Sequence, residues 1–388
     1  MAKRQQKGNE RLRGKMMEMV KRRQKTLKAA SLELGLSYRQ AKRVYQRYIG
    51  GGDETLVHGN KGKPSNHRTD SVVVQTAISL YKEKYYDFGP TFAQEKMLEQ
   101  DGLVIGVDTL RRALISAELW KSKRKGSEYR SRRNAREHFG ELVQFDGSHH
   151  DWFEGRRGKC CLITLIDDAT KIRLSMFFEE ETMFGAMNVL KTWIEAYGIP
   201  ETLYCDKKNA FVLTREPTDN ELLLGIIQPK SHFGKACARL GIDVIAANSP
   251  QAKGRVERNH GVDQDRLVKE LRLAGIVTIE QANKFLLETY LPKMNSKFSR
   301  PPKKTDNAHV RAGEILLDDI LCMEHERKVS KDYIVRFECR LFQILPEAKQ
   351  KPRPGDIVLV RIRLDLSVLI IWKNKPLLVK EINTMFDD

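Results

Sequence analysis

Three apolar runs crowd into residues 142–178, and no other stretch limits the possible folds as tightly. They lie at 142–146 (Leu-Val-Gln-Phe-Asp), 159–167 and 174–178. Strands in such close succession form an antiparallel meander, since parallel neighbours need a long crossover between them. Residues 182–197 then place Phe184, Met187, Leu190, Ile194 and Tyr197 on one helical face. That stripe reads as core packing, not as a cofactor box. Gly198-Ile199-Pro200 ends the helix. A fourth strand, 201–205, runs into Asp206. A helix over 233–240 and a fifth strand over 242–247 follow, and a last helix continues to about residue 273. The order β-β-β-α-β-α-β-α implies a mixed five-stranded sheet flanked by helices.

Two carboxylates stand at expected strand ends in this region: Asp146 in Val-Gln-Phe-Asp-Gly-Ser and Asp206 in Leu-Tyr-Cys-Asp-Lys-Lys-Asn. A third, Glu257, falls early in the last helix, behind Asn248-Ser249-Pro250-Gln251-Ala252-Lys253-Gly254. Singly, each reads as a turn residue or a solvated helix residue. Together, in this strand order, they suit hard cations. Mg²⁺ takes oxygen ligands and usually one or two protein carboxylates. Two such ions can clamp both the attacking and the leaving oxygen of an in-line displacement. The expectation is that Asp146 bridges two Mg²⁺ or Mn²⁺ ions, with Asp206 on one and Glu257 on the other, and no further cofactor. Asp167-Asp168 is a rival pair, but with Ala169-Thr170 behind it a turn role is preferred. His149 and His150 lie near Asp146. Soft-metal ligation needs more His or Cys nearby, so contact with phosphate or the flanking chain is the reading for them. Lys253, Arg255, Arg258 and His260 surround Glu257, and the first three are candidates to hold a DNA backbone.

The rest of the chain supplies charge. With 69 Lys+Arg against 51 Asp+Glu the 388 residues carry a net +18, which favours a polyanionic partner. Residues 26–48 read as helix–turn–helix, with Gly35 at the turn and Ser37 capping the second helix. Tyr38, Arg39, Gln40, Lys42 and Arg43 lie near its start or on its outer face, where they could enter a major groove. Gly50-Gly51-Gly52 and the run to Arg68 read as linker. A second helical module follows in 69–120, with helices over 72–86 and 93–100. A third helix is expected to be capped by Asp108 and carries Arg111 and Arg112. Residues 121–136 include Lys123, Arg124, Lys125, Arg132 and Arg133, a run suited to tracking phosphates. Residues 278–320 read as helical and polar, broken at Arg300-Pro301-Pro302. From Lys328 onward, five short β runs imply a small barrel. The expected domains are therefore 1–68, 69–120, a basic linker 121–139, a core 140–273 with an insertion at about 214–230, a helical connector 274–327 and a barrel 328–388.

No run of apolar residues is long enough for a membrane span, and the N-terminal residues lack the apolar stretch of a secretory signal. Six Cys without a CxxC suggest a reduced compartment and no zinc cluster. A cytoplasmic, nucleoid-associated protein is expected.

Residues 140–273 resemble the catalytic core of the DDE transposases and retroviral-type integrases, a ribonuclease-H-like fold. The likeness rests on Asp146, Asp206 and Glu257, and on Asn-Ser-Pro-Gln-Ala-Lys-Gly-Arg-Val-Glu-Arg-Asn around the third acid. Asp-Gly-Ser-His-His-Asp-Trp-Phe-Glu-Gly and Phe-Gly-Pro-Thr make nearly the whole chain similar to the ISNCY group of bacterial insertion-sequence transposases. The resemblance implies cleavage at element ends, transfer of the 3′-OH into target DNA, a requirement for Mg²⁺ or Mn²⁺, and a homo-oligomer on paired terminal inverted repeats. Two features depart from the pattern. With 50 residues between them, Asp206 and Glu257 are further apart than is common. The His-His-Cys-Cys zinc module of retroviral integrases is absent. Two rival readings are a DNA-binding regulator with a retired core and a nuclease without strand transfer.

Overall fold

The computed structural model describes residues 2–57, 68–122, 134–206, 230–247, 254–346 and 351–382, with the side chains of 2–9, Asp206, Ala247 and Arg255 left aside. The expected insertion at about 214–230, all but its last residue, the basic residues Lys123, Arg124, Lys125, Arg132 and Arg133, and Lys253 therefore lie outside the described residues. No helix among the described residues is long and apolar enough to cross a membrane. The chain forms two compact units, 1–126 and 127–388.

In the first unit, α1 (Ala2–Lys21), α2 (Leu27–Glu33) and α3 (Tyr38–Gly51) pack around Met17, Ala30, Val44 and Leu56. Thr26 and Ser37 cap α2 and α3, and Ser37 Oγ accepts from Gln40 N at 3.3 Å. Gly35, at φ +62°, makes the turn between them. Gly50 and Gly51 belong to α3, and a 3₁₀ turn (Gly52–Leu56) extends it, so the expected linker begins later. Burial of Leu56 against Met17 outweighs the weak helix propensity of the glycines. Further along come α4 (Ser71–Glu83), α5 (Pro90–Asp101) and α6 (Val107–Ser116). The cap of α6 is Gly106, not Asp108. Asp108 sits inside the first turn, where its carboxylate favours the helix dipole and pairs with Arg111.

The second unit is built on one sheet of order β3-β2-β1-β4-β5. Its strands are β1 (Val143–His150), β2 (Cys160–Asp167), β3 (Arg173–Phe178), β4 (Thr202–Asp206) and β5 (Asp243–Ala247). The first three form the expected meander, and β4 and β5 add in parallel. Every residue of β2 is buried because both sheet faces are covered. One face carries Val143, Phe145, Ile163 and Leu165 against α7 (Met183–Tyr197) and α8 (His232–Arg239). The other carries Leu162 and Phe177 against α9 (Gly254–Leu273), α10 (Ile279–Phe285) and α11 (Leu291–Phe298).

β1 is longer than expected. Its antiparallel register with β2 continues to His150↔Cys160, so Asp146 lies mid-strand. The ladder between β1 and β4 pairs only Val143↔Leu203 and Gln144↔Tyr204. Asp146 thus stands just beyond the point where the parallel ladder lets go.

β3 is an edge strand, yet its outer backbone is occupied. Asn283 Oδ1 accepts from Phe177 N at 2.6 Å, and its Nδ2 donates to Phe177 O at 3.0 Å. Asn295 does the same at Arg173, at 3.0 and 2.9 Å. Each side-chain amide takes the place of a neighbouring strand's peptide group.

Residues 299–316 are not helical, contrary to the expectation. Pro301 and Pro302 stop the helix, and the backbone finds its partners on the core instead. Ala308 N donates to Phe139 O at 2.8 Å, and Ile199 and Val310 exchange both bonds, at 2.8 and 2.9 Å. This strap brings His309 against Phe139, Trp193 and Tyr197. Gly140, at φ +87°, leaves the room, since a Cβ there would lie 2.2 Å from His309 Nδ1. Trp193 Nε1 donates to His309 Nε2 at 3.0 Å, and Asn307 Oδ1 lies 2.8 Å from Nδ1. The ring is therefore neutral, with its proton on Nδ1. Burial pushes its pKa from 6.5 down to about 4. Between those values the unfolded chain binds the proton and the folded chain refuses it, so stability falls as pH drops through that window. Thermal unfolding at pH 7 and pH 5 should show a loss in the wild type of roughly 1–2 kcal/mol that His309→Gln does not share. An equal pH dependence in both would reject this account.

The C-terminal part follows α12 (Leu317–Ile320). The expected barrel takes the form of two antiparallel sheets around one core of Val335, Phe342, Val360 and Ile370, and no ladder closes them among the described residues. One sheet has β6 (Met323–Lys328), β9 (Ile357–Ile362), β10 (Val368–Trp372) and β11 (Lys375–Pro376). The other has β7 (Ile334–Phe337), β8 (Arg340–Ile344) and β12 (Val379–Ile382). The last two strands, though close in sequence, belong to different sheets. β6 escaped notice because Met-Glu-His-Glu-Arg-Lys carries almost no apolar signal. Its Glu324 is held by Arg239 of α8, at 2.9 and 2.6 Å, and by Arg361 of β9, at 2.9 Å.

Candidate active site

The site is organised by how α9 lies along β1. Gln144, Asp146 and Ser148 alternate with the core residues Val143 and Phe145, so they share the opposite face of the strand. On that face Gln144 Oε1 accepts from Val256 N at 3.4 Å. Next, His260 Nδ1 lies 3.6 Å from Asp146 Oδ2. Then Gln264 Nε2 donates to Ser148 Oγ at 3.1 Å. Each step advances four residues on the helix and two on the strand, about 6 Å against about 7 Å. Helix and strand repeat at nearly the same pitch and run in the same direction.

Glu257 precedes His260 by three positions, about one turn earlier on the helix. It is exposed, in the first turn of α9. The level of Glu257 is fixed from below by Gln144. The first amides of a helix have no partner within it, and Gln144 supplies one to Val256. Gln144 is itself buried, and its Nε2 donates to Asp168 Oδ1 at 3.0 Å. Sequence reasoning missed this residue, because a Gln between Val143 and Phe145 looks like any outward position on an alternating strand.

Asp206 closes β4, paired with Ala247 at the end of β5. The β1–β4 ladder ends at Gln144↔Tyr204, two residues before Asp146 on one strand and two before Asp206 on the other. The helix–strand repeat relates Asp146 to His260, one helical turn after Glu257.

Asp167 and Asp168 are structural. Asp167 accepts from Gly140 N at 2.9 Å and from Thr170 N and Oγ1 at 2.6 and 2.7 Å. Burial raises its carboxyl above the ordinary range, against the pull of those bonds. Asp168 accepts from Arg136 N at 2.8 Å as well as from Gln144.

Deeper along α9, Asp263 and Arg173 form a buried ion pair at 3.0 Å. Tyr290 donates its hydroxyl to Asp263 at 2.7 Å, and Asn259 Nδ2 donates to it at 2.9 Å. Asn259 Oδ1 also accepts from Arg173. Burial raises the Asp263 carboxyl, and Arg173 and Tyr290 work in the opposite sense. This network ties the helix of Glu257 to β3.

The other expected contact residues fall in several places. Arg258 is exposed beside Glu257, and Arg255 belongs to the same turn of α9. Tyr38, Arg39, Gln40, Lys42 and Arg43 are all exposed on α3. Arg112 is exposed on α6 and donates to Asp108 O at 3.1 Å, while Arg111 is half-buried and paired with the Asp108 carboxylate.

The core sheet, a three-stranded meander extended by two parallel strands in the order β3-β2-β1-β4-β5, is ribonuclease-H-like. A family model described as a helix-turn-helix domain matches residues 12–65. The putative transposase y4bF of Sinorhizobium fredii is 35% identical over 355 residues, which cover 91% of this chain and 76% of that protein. The transposase for insertion sequence IS1202 of Streptococcus pneumoniae is 29% identical over 365 residues, covering 84% of this chain and 76% of its own. Two solved structures share parts of the chain. The HTLV-2 integrase catalytic core domain in complex with magnesium aligns over 39% of this chain and 86% of its own, at 20% identity and a TM-score of 0.30. A simian T-cell lymphotropic virus intasome in complex with a PP2A regulatory subunit aligns over 80% and 99%, at 14% identity and 0.36.

The chain belongs to the transposases of bacterial insertion sequences. It is therefore a DNA transposase and, by class, a polynucleotidyl transferase.

Proposed function

We propose that Asp146, Asp206 and Glu257 are the catalytic acids. On this reading the transposase hydrolyses a phosphodiester at each element end and transfers the exposed 3′-OH into target DNA. The observation that supports the reading is the matched repeat of α9 and β1, in which His260, one helical turn after Glu257, faces Asp146.

The donor set fits hard divalent cations. All three groups offer carboxylate oxygens, the ligands Mg²⁺ and Mn²⁺ prefer. Asp146 would bridge two ions, Asp206 would hold one of them and Glu257 the other. When bound, such a pair polarises the phosphate and stabilises the attacking and leaving oxygens. The protein's own part is positional. Gln144 fixes the start of α9, His260 stands behind Asp146, and the Arg173–Asp263 network holds the helix to the sheet. Lys253, Arg255 and Arg258 flank Glu257 in the sequence and suit a phosphate backbone. Exposed Tyr38, Arg39, Gln40, Lys42 and Arg43 suit the terminal inverted repeats, with Arg111, Arg112 and the basic run 121–136 adding phosphate contacts. Assembly is as a homo-oligomer on paired ends.

The test is a supercoiled donor plasmid carrying the element's inverted repeats, incubated with the protein, target DNA and Mn²⁺. The expected product is donor 3′ ends covalently joined to target. Nicking without joining would replace this reading by a nuclease, and binding without cutting by a regulator.

A further inference from the structure

On the α7 side of the sheet, away from Asp146, three residues remote in sequence come together. His149 of β1 and Cys161 of β2 are directly opposite in register. Glu181, just before α7, reaches over the same end of β1, and its Oε2 lies 3.7 Å from His149 Nε2. One ligand atom from each of the three lies within 4.8 Å of the other two. Room for the carboxylate comes from Gly147, where a Cβ would lie 2.5 Å from Glu181 Cδ.

We propose that His149, Cys161 and Glu181 form a second cation site, selective for a borderline-soft divalent ion such as Zn²⁺. The chemistry of the donors separates it from the all-carboxylate site. Thiolate and imidazole favour Zn²⁺ and its neighbours over Mg²⁺. Three protein ligands and one water complete a tetrahedron. Ligand atoms around such an ion sit closer together than the present spacing, by about 1 Å. His149, with 58% of its side chain exposed, is free to make most of that adjustment. Cys161 is fully buried in the sheet, and it anchors the site.

The site has a structural consequence. Binding would fasten the end of β1, three residues beyond Asp146, to the entry of α7. It would do so without using any residue of the proposed catalytic set. The absence of a CxxC concealed it, because its members are brought together by strand pairing and a helix entry, not by local spacing.

The test uses the full chain, stripped by chelator and titrated with Co²⁺ alone. A thiolate-to-cobalt charge-transfer absorption should grow to one equivalent, and Zn²⁺ should displace it. Cys161→Ser should abolish the band, while His149→Ala and Glu181→Gln should weaken Co²⁺ binding about tenfold or more. Cys160→Ser and Asp146→Asn should leave the band intact. That last result separates this site from the catalytic one whatever the strand-transfer assay shows. Absence of the band, or its survival in Cys161→Ser, overturns the proposal. If Cys161→Ser fails to fold, unchanged affinity in both His149→Ala and Glu181→Gln overturns it equally.

Discussion

Asp146→Asn should lower strand transfer by about 1000-fold or more, equivalent to roughly 4 kcal/mol of lost transition-state stabilisation, and leave binding to the element ends unchanged. The substitution keeps the shape of the side chain and removes the charge that would hold cations. Asp206→Asn and Glu257→Gln should behave alike, because the proposed ions need all three anchors. Binding is expected to survive, since the exposed basic face of α3 lies in the other compact unit. Joined product is read on a sequencing gel, and end binding by mobility shift on the same preparations. Near-normal joining by any one of the three variants would remove that residue from the catalytic set.

The second large effect is on stability. Removing one partner of a buried ion pair leaves the other charge unpaired, typically at a cost of about 3–5 kcal/mol. Asp263→Ala should therefore strand Arg173, which is almost fully buried beneath Tyr290. It also removes the acceptor for the Tyr290 hydroxyl and for Asn259. The melting temperature of the core should fall by on the order of 10 °C. Arg173→Met combined with Asp263→Leu should recover much of that loss, since an apolar pair of similar volume avoids the desolvation cost altogether. A double variant as unstable as the single one would show that the pair contributes through shape or through Asn259. Strand transfer should remain impaired in the double variant, because Asn259 would lose both partners that orient it near Glu257.

How much of this could be read beforehand depended on whether the signal was apolar or polar. The meander stood out because β2 is covered on both faces and so reads as an unbroken apolar run. The cap at Ser37 was legible because capping depends on a local residue type. The three proposed acids can be picked out in the sequence, but not their geometry. Asp146 looked like a strand end, and only the pairing of β1 with β2 shows the strand passing through it to His150. β6 and the strap at 299–316 were hidden because their backbone bonds and ion pairs go to distant elements, such as Arg239 for Glu324 and Phe139 for Ala308. The roles of Gln144, Asn283 and Asn295 have the same cause. A buried amide is read by what it faces, and that is a property of the fold.

The two asparagines at β3 bear on how copies of the protein can meet. An open strand edge is a standing invitation to a neighbour's strand, and many assemblies grow by accepting it. Here, Asn283 and Asn295 already hold the edge at Phe177 and Arg173. Fusing two sheets across that border would mean breaking four hydrogen bonds and lifting α10 and α11 away. Any strand-to-strand contact between copies would therefore have to use another margin, such as the outer edge of β5, because the β3 border is already sealed.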